Sequence, residues 1–570
     1  MRRNKQHSPA LCLYVFVIIA RCLILTWATI TGIWLAAHLE DLYLSANMQR
    51  PDLILIVLDT QRADRLGCYG YAGKTTPNLD AFAKRAVLFE RALSPAQWTI
   101  PSHASMFTGR YPTAHRVQQS SQSLSPDLPH VAEIMQDAGY ETVGFCNNPL
   151  VGILNNGFKR GFDRFYNYGG AIPSVPKSSS PLPWPLNRVA EAYTQFLRRL
   201  SYPIQNFFGR SDLAFRLSLN ACLTPLWSRF ANFKGQNERS IHDAANFLRE
   251  RERRHSDKPL FLFINLMETH LPFWPPGRFV EQQAPYMQDS KAARDIMRRW
   301  NREAYRWAAP LAEPLQELER RVLSDMYDAE VAYQDDYLSR LFSVLDARAA
   351  SDNTLTLITA DHGDGLGEHG YMGHAFVAYD ELVRVPLIVH WPRRFPSGSR
   401  RSTAVSTRRV FHTLVEAAAP APDVAARYNL SETRALSLLE TVYGKDPEHG
   451  LVLSEVYPPL NFVRAIEHRQ PELLSAFRCL SRRRALVQGD LKLITVDDET
   501  DELFDLQGDP QELVSLVQQR PDAVARLEPH LTRLVELIER QRDITAAGAG
   551  LEIGEDDSLL QRLRGLGYID

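Results

Sequence analysis

From Pro51 onward, apolar runs of strand length alternate with stretches whose apolar residues recur at helical spacing. The runs at 53–58, 141–146, 260–265 and 355–360 are predominantly apolar, as strands covered on both faces are. They predict an α/β domain with a mixed, mostly parallel sheet flanked by helices. One helix is predicted from Thr76-Pro77-Asn78-Leu79 through Ala86, and a long amphipathic one over 323–345. Another is predicted to open at Thr99-Ile100-Pro101, because proline suits a first turn, and to end at Gly109, which fits a C-terminal cap.

The residues just past each run carry more information than the run itself. The first run ends in Asp59, the second in Asn147-Asn148 and the fourth in Asp361-His362, while His270 lies shortly after the third. Open α/β sheets gather their ligands at the carboxyl ends of strands, so these residues are expected to share one site.

The chain opens Met1-Arg-Arg-Asn-Lys5 and then runs apolar from 10 to 37, interrupted by Arg21. Basic residues ahead of a long apolar run predict a cytoplasmic N-terminus over 1–9, a transmembrane signal-anchor over 10–37 and an exported remainder. The uninterrupted part from Cys22 is short for a spanning helix, so Arg21 snorkels or marks the inner boundary. A cleaved signal peptide ending near Ala36 or Ala37 is the alternative, and the length of the apolar stretch favours the anchor. Residues 38–50 read as a linker, 51–395 as the catalytic domain with a proline-, serine- and aromatic-rich insert over about 169–225, and 396–570 as a C-terminal subdomain. The expected location is a membrane, single-pass, with the catalytic domain periplasmic or extracellular.

Composition narrows the partners. At 570 residues, 45% hydrophobic and 23% charged, the chain is an ordinary globular one with room for several domains. A net charge of −2 provides no basic field, so no nucleic-acid partner is expected. The six cysteines are scattered and two lie in the N-terminal apolar stretch, which argues against a disulfide framework or a thiolate metal site.

The candidate chemistry sits in two places. Thr99 at a helix N-terminus meets backbone N–H groups and the positive end of the dipole, which favour an alkoxide and a tetrahedral oxyanion; a plain helix cap is the other reading. The stretch from Ile358 to His374 places Asp361 and His362 among glycines that let backbone approach a metal or an anion; a solvated turn is the bland alternative. With Asp59 added, two carboxylates, an imidazole and a hydroxyl form a divalent-metal site in which the nucleophile is itself a ligand. Asp364 ends no strand and is expected to matter less to the ion than Asp361.

These residues resemble the sulfatase family of the alkaline phosphatase superfamily across nearly all of the chain after Pro51. Leu58-Asp-Thr-Gln-Arg-Ala-Asp-Arg-Leu-Gly-Cys-Tyr-Gly70 resembles the family's opening metal segment, and Thr76-Pro-Asn-Leu79 its next fixed point. Pro101-Ser102 with Phe107-Thr-Gly-Arg-Tyr-Pro112 resembles the nucleophile helix, and His270-Leu-Pro the mid-chain substrate histidine. Asp361-His-Gly with Gly367-Glu-His-Gly370 is similar to the second metal segment, and Val385-Pro-Leu-Ile388 to the strand after it. Gly489-Asp-Leu-Lys-Leu493, Glu502-Leu-Phe-Asp-Leu506 and Asp509-Pro510 resemble the small C-terminal sheet domain. The resemblance implies an alkaline-phosphatase-like fold with a smaller C-terminal α+β subdomain, and a metal-dependent hydrolase of sulfuric or phosphoric esters.

Departures from the family pattern shape the expected chemistry. Family sulfatases carry Cys or Ser, matured to formylglycine, where Thr99 stands; threonine cannot be so converted, and no formylglycine is expected. The motif's arginine is His103 here, the second aspartate of the usual pair is Thr60, Asn147-Asn148-Pro149 aligns with a Lys-Trp-His stretch, and His374 aligns with a lysine. By this resemblance Asp59, Thr99, Asp361 and His362 hold one divalent ion (Ca2+, Mn2+ or Zn2+) with Thr99 as nucleophile. His270, His374 and His103 are the candidate catalytic histidines, and His270, His374 and Asn148 the candidate substrate contacts. The substrate is a sulfate or phosphate ester, with an envelope glycan or lipid among the candidates. Two alternatives stand beside the hydrolase: a phosphoglycerol- or phosphoethanolamine-type transferase, which the threonine resembles, and a noncatalytic binding protein on the same fold.

Overall fold

The computed structural model describes residues 50–169, 234–548 and 550. The apolar stretch at 10–37 and nearly all of the insert expected at 169–225 lie outside them. Among the described residues, no helix is long and apolar enough to cross a membrane.

The body from Pro51 onward is organised by an eight-stranded sheet. Its strands are β1 (Asp52–Leu58), β2 (Val87–Phe89), β3 (Glu141–Cys146), β4 (Arg164–Asn167), β5 (Leu260–Leu266), β6 (Thr354–Thr359), β7 (Leu387–His390) and β8 (Ser399–Arg401), in the spatial order β8-β2-β7-β6-β1-β5-β3-β4. β1, β3, β4, β5 and β6 run parallel, and β7 is antiparallel to both β6 and β2. The apolar runs become central strands because both faces are covered. Leu53, Leu55 and Val57 enter one core while Ile54, Ile56 and Leu58 enter the other.

Helices supply the covering layers. α1 (Pro77–Ala83) begins with proline in its first turn and stops short of the expected Ala86, because the chain turns there to enter β2. α2 (Thr99–Thr108) packs Ile100, Ala104, Met106 and Phe107 into one core, joined by Val410 and Leu414 of α5 (Arg409–Ala418). α3 (Asn237–Arg253) and α4 (Glu317–Ala347) cover the opposite face through Ile241, Leu248, Leu323, Leu338 and Leu341. Gly109 ends α2 in the left-handed region, φ 71°, as its capping role requires.

A second, antiparallel sheet has the order β9 (Val452–Val456), β10 (Arg483–Gln488), β11 (Leu491–Val496) and β12 (Glu499–Asp505). Alternation divides its two faces. Leu453, Leu486, Leu493 and Leu503 pack under Leu527, Leu531 and Ile538 of α6 (Pro521–Asp543), while Val456, Ala485, Ile494 and Phe504 pack with Leu93 and Val383 of the main body. The boundary expected at 395/396 therefore moves C-terminal, because β8 and α5 beyond it belong to the large sheet and its core. Among the described residues, Cys68, Cys146 and Cys479 form no disulfide with one another.

This small sheet also props up the segment before α2. Ser454 Oγ donates to Ser94 O at 2.6 Å, Glu455 N to Pro95 O at 2.9 Å, and Gln97 Nε2 to both Ala375 O at 2.8 Å and Tyr457 O at 3.0 Å.

Candidate active site

Parallel register brings the expected residues to one edge. Leu58 lies opposite Leu266, Val57 opposite Thr359, and Cys146 opposite Asn265, so the chain leaves β1, β3, β5 and β6 side by side. Asp59, Asn148, His270 and Asp361 come after those strand ends, and α2 starts against them. Thr99 is the first helical residue while Trp98 holds the cap position without a side-chain cap bond, so the plain-cap reading of Thr99 fails.

Asp59, Asp361 and His362 form a buried cluster whose ligand atoms all lie within 4.8 Å of one another. Thr99 Oγ1 is 3.3 Å from His362 Nε2. The proton on that ring is placed by its surroundings: Nδ1 faces Gly363 O at 2.8 Å, and a carbonyl can only accept, so Nε2 turns its lone pair toward the carboxylates. Asp361 Oδ1 accepts from Thr60 N at 3.3 Å and His362 N at 3.0 Å, and Asp59 Oδ2 accepts from Asn148 Nδ2 at 2.5 Å. The other oxygens, Asp59 Oδ1 and Asp361 Oδ2, are buried without a hydrogen-bond partner. Two orphaned carboxylate oxygens 3.9 and 3.5 Å from one imidazole nitrogen fit a divalent cation, which would compensate charges that burial otherwise penalises.

The electrostatics of the cation-free site agree. Burial, reinforced by the neighbouring Asp361, holds the Asp59 carboxyl well above the usual range, and burial pushes Asp361 up to about 7. An unfolded Asp361 titrates near 3.8, so between these values the folded protein binds the extra proton and its stability falls as pH rises. A bound cation removes that penalty. The expected result is that a chelator lowers the melting temperature more at about pH 8 than at about pH 5, and that cation affinity falls as pH drops through about 7. Thermal unfolding with and without chelator across this range checks both.

The surrounding polar groups have defined roles in the geometry. Asn148 Oδ1 accepts from Leu150 N at 2.8 Å, which aims Nδ2 at Asp59 and, at 3.5 Å, at Thr99 Oγ1. Asn147 turns away to Ser240 and Asn265. His103 lies one turn beyond Thr99, with Nδ1 3.0 Å from Thr99 O and 3.4 Å from Asp361 Oδ2, and with Asn265 Nδ2 3.5 Å from its Nε2. Burial pushes its pKa down to about 3, so His103 is neutral where the family pattern has an arginine. His270 directs Nδ1 to Leu271 O at 2.9 Å, and its ring centre lies 5.2 Å from that of His374, which in turn lies 4.6 Å from that of His362. Burial lowers the pKa of all three rings.

Three groups at the site escaped the sequence reading. Asn265 orients both Asn148, whose N–H it accepts at 2.9 Å, and His103; its signal was an amide inside the apolar run Leu-Phe-Leu-Phe-Ile-Asn-Leu. Lys234 and Glu330 clamp the loop that carries His270: Lys234 Nζ donates to Glu330 Oε1 at 2.5 Å and Glu268 O at 2.7 Å, and Trp274 N donates to Glu330. Nothing in the local sequence connects residues 96 positions apart. Asp364, expected to matter less to the ion than Asp361, is buried and bonded to His374.

A family model described as Sulfatase matches residues 51–420. An uncharacterised sulfatase of Escherichia coli (strain K12) is 23% identical over 499 residues, which cover 87% of this chain and 88% of that protein. A Delta 4,5-hexuronate-2-O-sulfatase of Bacteroides thetaiotaomicron is 23% identical over 517 residues, 87% of this chain and 90% of that protein. The crystal structure of a phosphonate monoester hydrolase of Agrobacterium radiobacter shares the fold, with a TM-score of 0.58, 21% identity, and coverage of 86% of this chain and 96% of that one.

Proposed function

The chain belongs to the sulfatase family and is a sulfatase-like ester hydrolase; on that premise we propose that it cleaves sulfate or phosphate esters with Thr99 as an unmodified nucleophile beside a divalent metal site. The observation that carries the reading is the Thr99 hydroxyl, 3.3 Å from His362 Nε2, which itself lies 3.9 Å from Asp59 Oδ1 and 3.5 Å from Asp361 Oδ2. Asp59, Asp361 and His362 would hold a cation, whose Lewis-acid charge would lower the pKa of a neighbouring hydroxyl and polarise an ester oxygen. The imidazole favours Mn2+ or Zn2+, and the carboxylates also accept Ca2+.

The chain's own groups do the rest. Thr99 Oγ1 forms a bond to the sulfur or phosphorus as the bond to the departing alcohol oxygen breaks, and the hydroxyl proton is released to solvent. Asn148 Nδ2, fixed as a donor, faces the oxygen on which charge develops. His374, with His270 beside it, takes up a proton from solvent when the anionic ester binds and gives it to the departing oxygen; water then cleaves the Thr99 ester, and its proton restores the histidine. His103, neutral and engaged below the nucleophile, positions Thr99 and Asp361. The relatives named as a hexuronate sulfatase and a phosphonate monoester hydrolase direct attention to sulfated sugars and to phosphorus esters as substrates.

The test is a screen of the full chain on sulfate monoesters, phosphate mono- and diesters and phosphonate monoesters, each with Mn2+, Zn2+ or Ca2+ restored after chelation. No turnover with any metal would defeat the reading. The threonine, which resembles that of the phosphoglycerol- and phosphoethanolamine-type transferases, favours transfer to an envelope glycan or lipid as the second reading. Adding an alcohol acceptor during turnover separates the two: product on the alcohol in preference to water supports the transferase.

The basic N-terminus and the apolar stretch to Ala37 support a membrane-anchored chain with its catalytic domain outside the cytoplasm. Full-length protein is expected to stay with membranes through an alkaline wash. Recovery in the soluble cytosolic fraction would defeat the anchor.

A further inference from the structure

We infer that Asp364 is the positioning residue for His374, dictating which ring nitrogen meets the substrate ester and so which bond-breaking step the site can assist. The inference rests on the ester-hydrolase reading and goes beyond it, because Asp364 ligates nothing in the metal cluster.

The arrangement is built by a short two-stranded ribbon. Gly365 pairs with Gly373 and Leu366 with Met372, so Asp364, just before one strand, and His374, just after the other, face each other across its open end. Gly373 has φ +66°, and a Cβ there would sit 1.6 Å from Trp307 O, so the ribbon can close only with glycine at that position. Arg62 Nη1 donates to Asp364 O at 3.1 Å and to Glu368 Oε1 at 2.8 Å, which pins the backbone on either side of the ribbon's first strand. The result is a 2.9 Å contact between His374 Nδ1 and Asp364 Oδ1, both side chains buried.

The contact commits Nδ1 to Asp364, so Nε2 is the nitrogen left for other work. Nε2 is buried with no hydrogen-bond partner, and its ring stands between those of His362 and His270. In the cleavage step Nε2, having taken up a proton from solvent once the anionic ester is bound, passes it to the departing alcohol oxygen as its bond to sulfur or phosphorus breaks. The ring is left neutral with Nδ1–H still on Asp364, and the attacking water of the second half-reaction returns the proton. Where the family pattern places a permanent cation, this chain has an oriented proton donor, and the difference matters most for substrates whose alcohol departs poorly, such as sugar and other alkyl esters.

The test compares 4-nitrophenyl and alkyl esters of the same acid in the full chain. Asp364→Asn preserves shape but offers either an acceptor or a donor to Nδ1, which releases the tautomer. It is expected to lose about 100-fold or more in kcat on the alkyl ester and about tenfold on the nitrophenyl ester, within the range that general-acid catalysis contributes. Bound metal, measured by elemental analysis, stays at the wild-type level. An equal loss on both esters, or loss of metal in parallel with activity, overturns the inference. Nitrogen-15 shifts of labelled histidine give a readout independent of turnover: His374 is expected to be protonated at Nδ1 in the wild type and to mix tautomers in Asp364→Asn. A wild-type ring protonated only at Nε2 overturns the assignment whatever the rates. Thr99→Ala run alongside separates the failures, since full activity there defeats the hydrolase reading itself and not merely the part given to Asp364.

Discussion

Replacing Thr99 by alanine is expected to reduce turnover by about 10^4-fold or more, the scale on which removal of a nucleophile acts in enzymes with a covalent intermediate. The fold should survive. Thr99 caps nothing, Trp98 being the N-cap residue, and loss of its hydroxyl removes weak contacts to Asn148 and His362 that are worth about 1 kcal/mol each at most. Thr99→Ser keeps the hydroxyl and should retain activity, losing only the packing of one methyl group in a fully buried position. Mass spectrometry of the wild-type peptide from Trp98 to Arg110, trapped during turnover, should show a phosphate or sulfate on Thr99. Full activity in Thr99→Ala on any substrate found by the screen would remove the central claim.

Asp361→Asn is expected to empty the metal site. The amide oxygen can still accept from Thr60 N and His362 N, but the second position changes from an unpartnered anionic oxygen to an N–H donor beside His362 Nε2. Metal affinity should fall by more than the roughly 10–100-fold that loss of an outer-shell partner costs. The same substitution removes a carboxyl whose pKa burial has pushed up to about 7, so above that pH the metal-free variant should melt higher than the metal-free wild type. Elemental analysis and a melting curve therefore move in opposite directions, which simple misfolding cannot produce. Equal metal content in variant and wild type would rule out the ligand role.

Legibility in the sequence tracked the range of the interaction. Glu141–Cys146 was readable to its ends, and the other central strands to within one residue, because buried parallel strands need uninterrupted apolar side chains and stop where a polar residue can reach solvent or a ligand. The start of α2 at Thr99 and its end at Gly109 were readable because proline and glycine act through their own backbone. Asp59, Asp361 and His362 were readable because strand ends in such sheets are where ligands gather. The bound at 395/396 was not: Ser399–Arg401 is a short edge strand with half-buried or exposed side chains, and it joins the large sheet only by pairing with Val87–Phe89.

By itself, then, the sequence determined the α/β architecture, the family, and the set of residues able to hold a cation and supply a hydroxyl, since each depends on local periodicity or on chemistry at a strand end. Tertiary structure decided how those groups point. It set Asn148 as a donor through Leu150 and Asn265, the tautomer of His362 through Gly363 O, and the pairing of His374 with Asp364 across a ribbon that closes only because Gly373 lies against Trp307. The physical reason is that a side chain's direction and protonation are fixed by partners that meet it only after folding, and in a buried site those partners come from several separate segments of the chain.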